Sequence, residues 1–231
     1  MLNFRKTLVD MFIEMCSTSS AKEILDAVHS LADIKDEFDA SHALIAASMG
    51  NKPEVIAALI SAGMNVNARA HDGNTPLMWA TFRNTPETVR ILIEAGADVN
   101  VSRTDGLTAL MGTARKNTPE MARLLIEAGA DVNAKSYNGT TALHYAAMDN
   151  PDPAMIDALI EAGAEDFPND SGRTALIFAA MLNTPQVVSA LIKAGSDIHA
   201  KDSDGKTALD YARENPKIAG TPEILMLEGK V

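Results

Sequence analysis

Leu44, Leu77, Leu110, Leu143, Leu176 and Leu209 follow one another at a constant interval of 33 residues. A register held that long constrains the fold more than any composition does. Thr75, Thr108, Thr141, Thr174 and Thr207 keep the same interval, as do Gly73, Gly106, Gly139, Gly172 and Gly205. So do Asn51, Asn84, Asn117, Asn150 and Asn183 further along the unit. One structural unit is therefore repeated, and a chain built this way gains its core by stacking neighbour on neighbour.

Within a unit, the stretch from Thr108 to Lys116 is short, Ala-containing and apolar on one side, which reads as a first helix. Asn117 interrupts it, and asparagine tolerates the left-handed turn expected there. Thr118-Pro119-Glu120 then offers a hydroxyl cap, a proline at the first helical position and a carboxylate near the positive helix end. Thr85-Pro86-Glu87 repeats this device, and Thr184-Pro185-Gln186 keeps most of it. The second helices carry Leu92-Ile93, Leu125-Ile126 and Leu191-Ile192, and Gly96, Gly129, Gly163 and Gly195 stop them. The polar stretch from Ala130 to Gly139 ends in turn chemistry and reads as an extended finger.

Gly73-Asn74-Thr75-Pro76-Leu77 and Ala95-Gly96-Ala97-Asp98-Val99-Asn100 resemble the two signature stretches of the ankyrin repeat family. The resemblance covers about residues 37–231. It implies an all-α solenoid of about six helix–turn–helix units with short hairpin fingers and an N-terminal helical cap. That family's proline survives only as Pro76, and its histidine only as His144, with Met78, Met111, Ile177 and Asp210 at the equivalent places. Asn150-Pro151-Asp152-Pro153 carries an extra residue and the finger before Gly172 lacks one, so the register resumes.

Ordering one unit costs on the order of 50 kcal/mol in conformational entropy, which a lone helical hairpin cannot offset. The ends of the stack must then be covered. Residues 1–36 read as a degenerate cap of two helices, with Phe4, Leu8, Met11, Phe12 and Met15 on one and Ile24, Leu25, Val28 and Leu31 on the other. Residues 37–231 read as the repeats, the last a short cap beginning at Thr221-Pro222-Glu223.

The net charge of −11 argues against whole-molecule attraction to nucleic acid or anionic lipid. No apolar run is long enough to cross a bilayer. Asp10 and Glu14 interrupt what would have to be the apolar core of a signal peptide. A single cysteine, Cys16, fits a reducing, cytoplasmic setting and reads as a buried thiol on an apolar helix. A secreted, host-directed effector is compatible with the same sequence.

Catalytic constellations are not found in the sequence. The five histidines show no His-x-x-x-His spacing, and there is no Cys-x-x-Cys pair, so no metal site is expected. Ser19-Ser20-Ala21-Lys22 and Ser203-Asp204-Gly205-Lys206 fit Ser-x-x-Lys without its partner motifs, and read as a helix start and a finger. No phosphate loop or dinucleotide fingerprint calls for a cofactor. The resemblance makes Asn67, Asn100 and Asn133 candidates for hydroxylation, whereas the residues themselves read as turn hydrogen-bonders.

The expected function is non-catalytic binding of a partner protein by a monomer. Family resemblance places such a surface at the finger tips and at the ends of the first helices. Carried onto this chain it comprises Phe82, Arg83, Leu107, Arg115, Lys116, Tyr137, Met148, Asp149, Met181 and Leu182. Phe82, Leu107, Tyr137, Met148, Met181 and Leu182 would form an apolar strip. Arg83, Arg103, Arg115, Lys116 and Lys135 would favour an acidic or phosphorylated segment, with Glu87, Glu94, Glu120 and Glu127 on the outer helices. Two other readings stay open: a pocket for a substrate or small ligand at the N-terminal helices, and a self-associating structural module.

Overall fold

The computed structural model describes residues 19–24, 26, 40–50, 52–83 and 85–230. They fall into two compact units, Met1–Thr104 and Asp105–Val231. Both are built of helices, with no extended strand among the described residues. Unit 1 holds α1 (Ala40–Gly50), α2 (Pro53–Ser61), α3 (Pro76–Phe82) and α4 (Pro86–Glu94). Unit 2 holds α5 (Ala109–Lys116), α6 (Pro119–Glu127), α7 (Ala142–Asp149), α8 (Pro153–Glu161), α9 (Ala175–Leu182), α10 (Pro185–Lys193), α11 (Ala208–Glu214) and α12 (Glu223–Leu227). The six helical pairs match the expected all-α repeat architecture.

Two layers run through each unit. In unit 2 the inner helices α5, α7, α9 and α11 pack in succession, and the outer helices α6, α8, α10 and α12 do the same. In unit 1, α1 packs on α3 and α2 on α4. The leucines of the register lie in these seams: Leu44, Leu77, Leu110, Leu143 and Leu176 are buried. Burying each such side chain contributes roughly 1.5 to 3 kcal/mol.

Local chemistry sets the helix ends. Thr75, Thr108 and Thr174 accept the amide N–H of Met78, Met111 and Ile177 at 3.3 Å, so the recurring threonine is an N-cap of the inner helices. Proline then opens the outer helices α2, α4, α6, α8 and α10. The hydroxyl cap expected before those prolines forms at Thr118, which accepts from the Met121 amide at 3.4 Å. It does not form at Thr85 or Thr184. At Thr184 the Asn183 Oδ1 instead takes that residue's own amide at 2.9 Å.

The asparagine at the end of the inner helix is not left-handed, contrary to expectation. Asn117, Asn150 and Asn183 have φ of −119°, −95° and −101°, within the extended region open to any residue. The side chain explains the recurrence. Asn150 Nδ2 donates to the Ala114 and Asn117 carbonyls at 3.0 Å, and Asn183 Nδ2 donates to those of Ala147 and Asn150 at 2.9 Å. Asn215 repeats the bond to the Ala180 carbonyl at 3.0 Å. Each amide thus satisfies carbonyls orphaned at the end of the preceding inner helix.

The fingers are tied in the same backward sense. In unit 2, the amides of Tyr137, Asp170 and Ser203 donate to the carbonyls of Asp105, Asn138 and Ser171 at 3.3, 3.2 and 3.0 Å. At the tip, Gly172 has φ of +73°, and a Cβ there would meet the Ser203 amide nitrogen at 3.0 Å. Glycine is needed both for the turn and for the approach of the next finger.

Where the family's histidine survives, it ties a helix start to the next finger. His144 Nδ1 accepts the Thr141 amide at 3.1 Å, so Nε2 carries the proton and donates to the Arg173 carbonyl at 3.1 Å. Burial, offset only in part by Asp166 and the Arg173 carbonyl, holds its pKa below the ordinary imidazole value.

Of the expected cap in residues 1–36, only 19–24 and 26 are among the described residues; Phe4, Leu8, Met11, Phe12, Met15, Cys16, Leu25, Val28 and Leu31 lie outside them. Ser20 does start a helix. Its amide and hydroxyl both donate to Glu23 Oε2, at 2.8 and 2.9 Å, and its Oγ accepts the Glu23 amide. Ile24 is fully buried.

Candidate protein-binding face

Stacking in register brings equivalent residues of successive inner helices side by side, so the ends of these helices form rows. In unit 2 the last turn of α5 presents Arg115 and Lys116, that of α7 Met148 and Asp149, and that of α9 Met181 and Leu182. Arg115, Lys116, Asp149 and Leu182 are exposed, and Met148 and Met181 are half-buried. Tyr137 stands at a finger tip with 76% of its surface exposed, while Leu107, at the base of the preceding finger, is half-buried. Unit 1 carries Phe82, 70% exposed, and Arg83 beside it at the end of α3.

Several aromatic neighbours that no identical-residue register marks flank these positions. Trp79, one turn before Phe82, meets its ring edge-on at 6.0 Å, and its Nε1 has no acceptor among the described residues. In unit 2 the equivalent column holds half-buried Tyr145, Phe178 and half-buried Tyr211. Their spacing of 33 residues was the available signal. Phe167, exposed on a shortened finger beneath the Lys135 ammonium, had no such signal, because that finger breaks the register.

Of the cations expected to attract an acidic partner, Arg115 is engaged by a carboxylate, and two cations outside that set are engaged as well. Arg115 Nε is ion-paired with Asp149 of the next repeat. Arg173 Nε reaches Asp202 at 3.3 Å, and Lys206 Nζ reaches Glu214 at 3.3 Å. Burial of the Asp202 carboxylate works against its charge, but hydrogen bonds from the Tyr211 hydroxyl, the Lys206 amide and Arg173 outweigh it, holding the pKa below the ordinary carboxylate value. Lys116 remains exposed and unpaired among the described residues.

Asn67 and Asn133 are committed to structure. Asn67 Nδ2 donates to the Gly96 carbonyl at 3.0 Å and its Oδ1 accepts the Asp98 amide at 2.8 Å. Asn133 makes the same two bonds with Gly163 and Glu165. On the outer side of unit 2, α8, α10 and α12 border an open groove of about 330 Å³ lined by Asp157, Gln186, Lys193 and Glu223. The described residues contain no group of three His, Cys, Asp or Glu placed to hold a metal ion, and no helix long and apolar enough to cross a membrane.

No curated protein matches the chain. The family model for ankyrin repeats, in three copies, matches residues 13–103, 96–166 and 147–225. Capped inner helices, proline-led outer helices, glycine-tipped fingers and this match together place the chain in the ankyrin repeat family.

Proposed function

We propose that the chain is a non-catalytic scaffold that holds a partner protein against its inner helices and finger tips. Ankyrin repeats are in general protein-interaction modules and typically lack catalysis. The observation that carries the reading is recurrence: apolar side chains stay accessible at equivalent positions, as Met148 and Met181 with Leu182 in unit 2 and as Phe82 in unit 1. Exposed apolar groups on a rigid frame supply contact area at little ordering cost. The variant with an acidic partner segment rests on Arg83, Lys116 and Lys135, since Arg115 is held by Asp149.

Photo-crosslinking groups placed at Tyr137 or Met148 of the full chain should capture a partner from the native cell extract, and one at Glu120 on the outer helix should not. Capture from the outer position alone would overturn the assignment. With the captured partner in hand, Phe82→Ala or Tyr137→Ala should weaken binding by about 2 kcal/mol where the residue is a hot spot, with folding intact. The self-association reading predicts a mass that rises with concentration, whereas a scaffold monomer keeps its mass. The pocket reading at the N-terminal helices concerns residues most of which lie outside the described ones.

A further inference from the structure

The groove on the outer side of unit 2 traces to small residues on α10. Outer helices align position by position from the proline that opens them, and α6 carries Arg123 and buried Leu124 where α10 carries Ser189 and Ala190. Arg123 Nη2 reaches Glu161 of α8 at 3.7 Å, so a long side chain spans that seam. The short pair on α10 cannot do the same. Ser189 Oγ lies 3.9 Å from Met226 Sδ of α12, and Ala190 beside it is half-buried. On α8 the same two positions hold Asp157 and Ala158. The room left between α8, α10 and α12 is about 330 Å³, a size that small-ligand sites share.

Charge departs from the register at the same place. Helices α4, α6 and α8 end on Glu94, Glu127 and Glu161, whereas α10 ends on Lys193. Glu87 and Glu120 stand second in α4 and α6, where α10 has Gln186. Lys193 lines the groove with Asp157 of α8 and Glu223 of α12, and none of these three forms an ion pair among the described residues. Their attraction is therefore available to a ligand. Along α10, Ser189, the counterpart of Asp157, lies about 6 Å from Lys193, and Gln186, the counterpart of Glu223, about 10 Å. An anion at one end, a cation one turn away and a second cation at the far end would match these groups. We propose that the groove binds a free basic amino acid of the arginine or lysine class, with its carboxylate on Lys193, its α-ammonium on Asp157 and its side-chain cation on Glu223. The site lies on the outer helices and does not depend on the reading of the inner ones as a protein-binding face.

Titrating the isotope-labelled full chain with L-arginine should shift the Ala190 and Lys193 amide signals saturably, with a Kd on the order of 1 mM. Agmatine lacks the carboxylate and citrulline the side-chain charge, so each should bind at least about fivefold more weakly. Lys193→Glu should weaken arginine by a similar factor. Ser189→Arg combined with Ala190→Leu rebuilds the α6 pair, and it should close the groove and abolish the Lys193 shift while the chain stays folded. Agmatine binding as tightly as arginine would reduce the effect to attraction of cations by a chain of net charge −11, and would overturn the site. So would the lack of any saturable shift, or arginine binding that survives Lys193→Glu unchanged.

Discussion

Leu143 and Leu209 occupy the same place in two repeats of unit 2, yet Leu143 is fully buried and Leu209 only partly. The difference follows from what comes next: α7 is covered by α9, and among the described residues no inner helix packs on the far side of α11. Contacts that reach backward survive in the last repeat, as the Asn215 bond to the Ala180 carbonyl and the Ser203 bond to the Ser171 carbonyl show. Contacts that a following repeat would supply are lost. Identical letters in a repeat are therefore unequal in energy, and their position decides by how much.

The largest effect should separate the two leucines. Leu143→Ala removes a side chain enclosed from both neighbouring repeats and should cost roughly 2 to 5 kcal/mol of unfolding free energy. Leu209→Ala should cost about 1 to 2 kcal/mol, because part of its surface is already in water. Equal losses in chemical denaturation would break the comparison.

Asparagine sharpens it, since its bonds point backward. Asn183→Ala and Asn215→Ala each strand carbonyls at the end of the preceding inner helix and should cost similar amounts, about 2 to 3 kcal/mol. A much smaller loss at Asn215 would show that the end of unit 2 is loosened as a whole rather than only uncovered. The finger glycines reverse the pattern. Both Gly172 and Gly205 have positive φ, +73° and +77°, but a Cβ at Gly172 would press on the Ser203 amide whereas one at Gly205 meets nothing within 4 Å. Gly205→Ala should cost about 1 kcal/mol from backbone strain and Gly172→Ala about 2 kcal/mol.

The register of leucine, threonine and glycine made the fold legible, because packing and capping act on single residues at fixed intervals. The asparagine was seen to recur but was misread. Its amide reaches carbonyls of the preceding repeat, 33 residues back at Asn117 and 36 back at Ala114, and a one-dimensional pattern shows only its place after a helix. The same blindness hid the pairing of Arg115 with Asp149: both were picked as candidate contacts, and only stacking shows that they engage each other. The column of Trp79, Tyr145, Phe178 and Tyr211 is hidden from a register of identical residues, because its letters differ from repeat to repeat.

The smallest expected effect concerns His144, where the comparison moves from position to protonation. Its Nδ1 accepts the Thr141 amide and its Nε2–H donates to the Arg173 carbonyl, so the neutral ring satisfies both neighbours. A proton on Nδ1 would turn the acceptor into a donor facing another donor, within a buried site. The folded state thus resists protonation, and its pKa lies below the 6.5 of the free side chain. The contribution of His144 to stability is complete above that value. It declines as pH falls below it, because the unfolded chain binds the proton first. Carboxylates such as Asp202, also depressed, lose their contribution only near and below their ordinary 3.8, so the interval between about pH 5.5 and 7.5 isolates the imidazole. Unfolding free energies measured across it should fall more steeply for the parent chain than for His144→Gln. Parallel curves would mean that the ring takes up its proton without disturbing the joint between repeats.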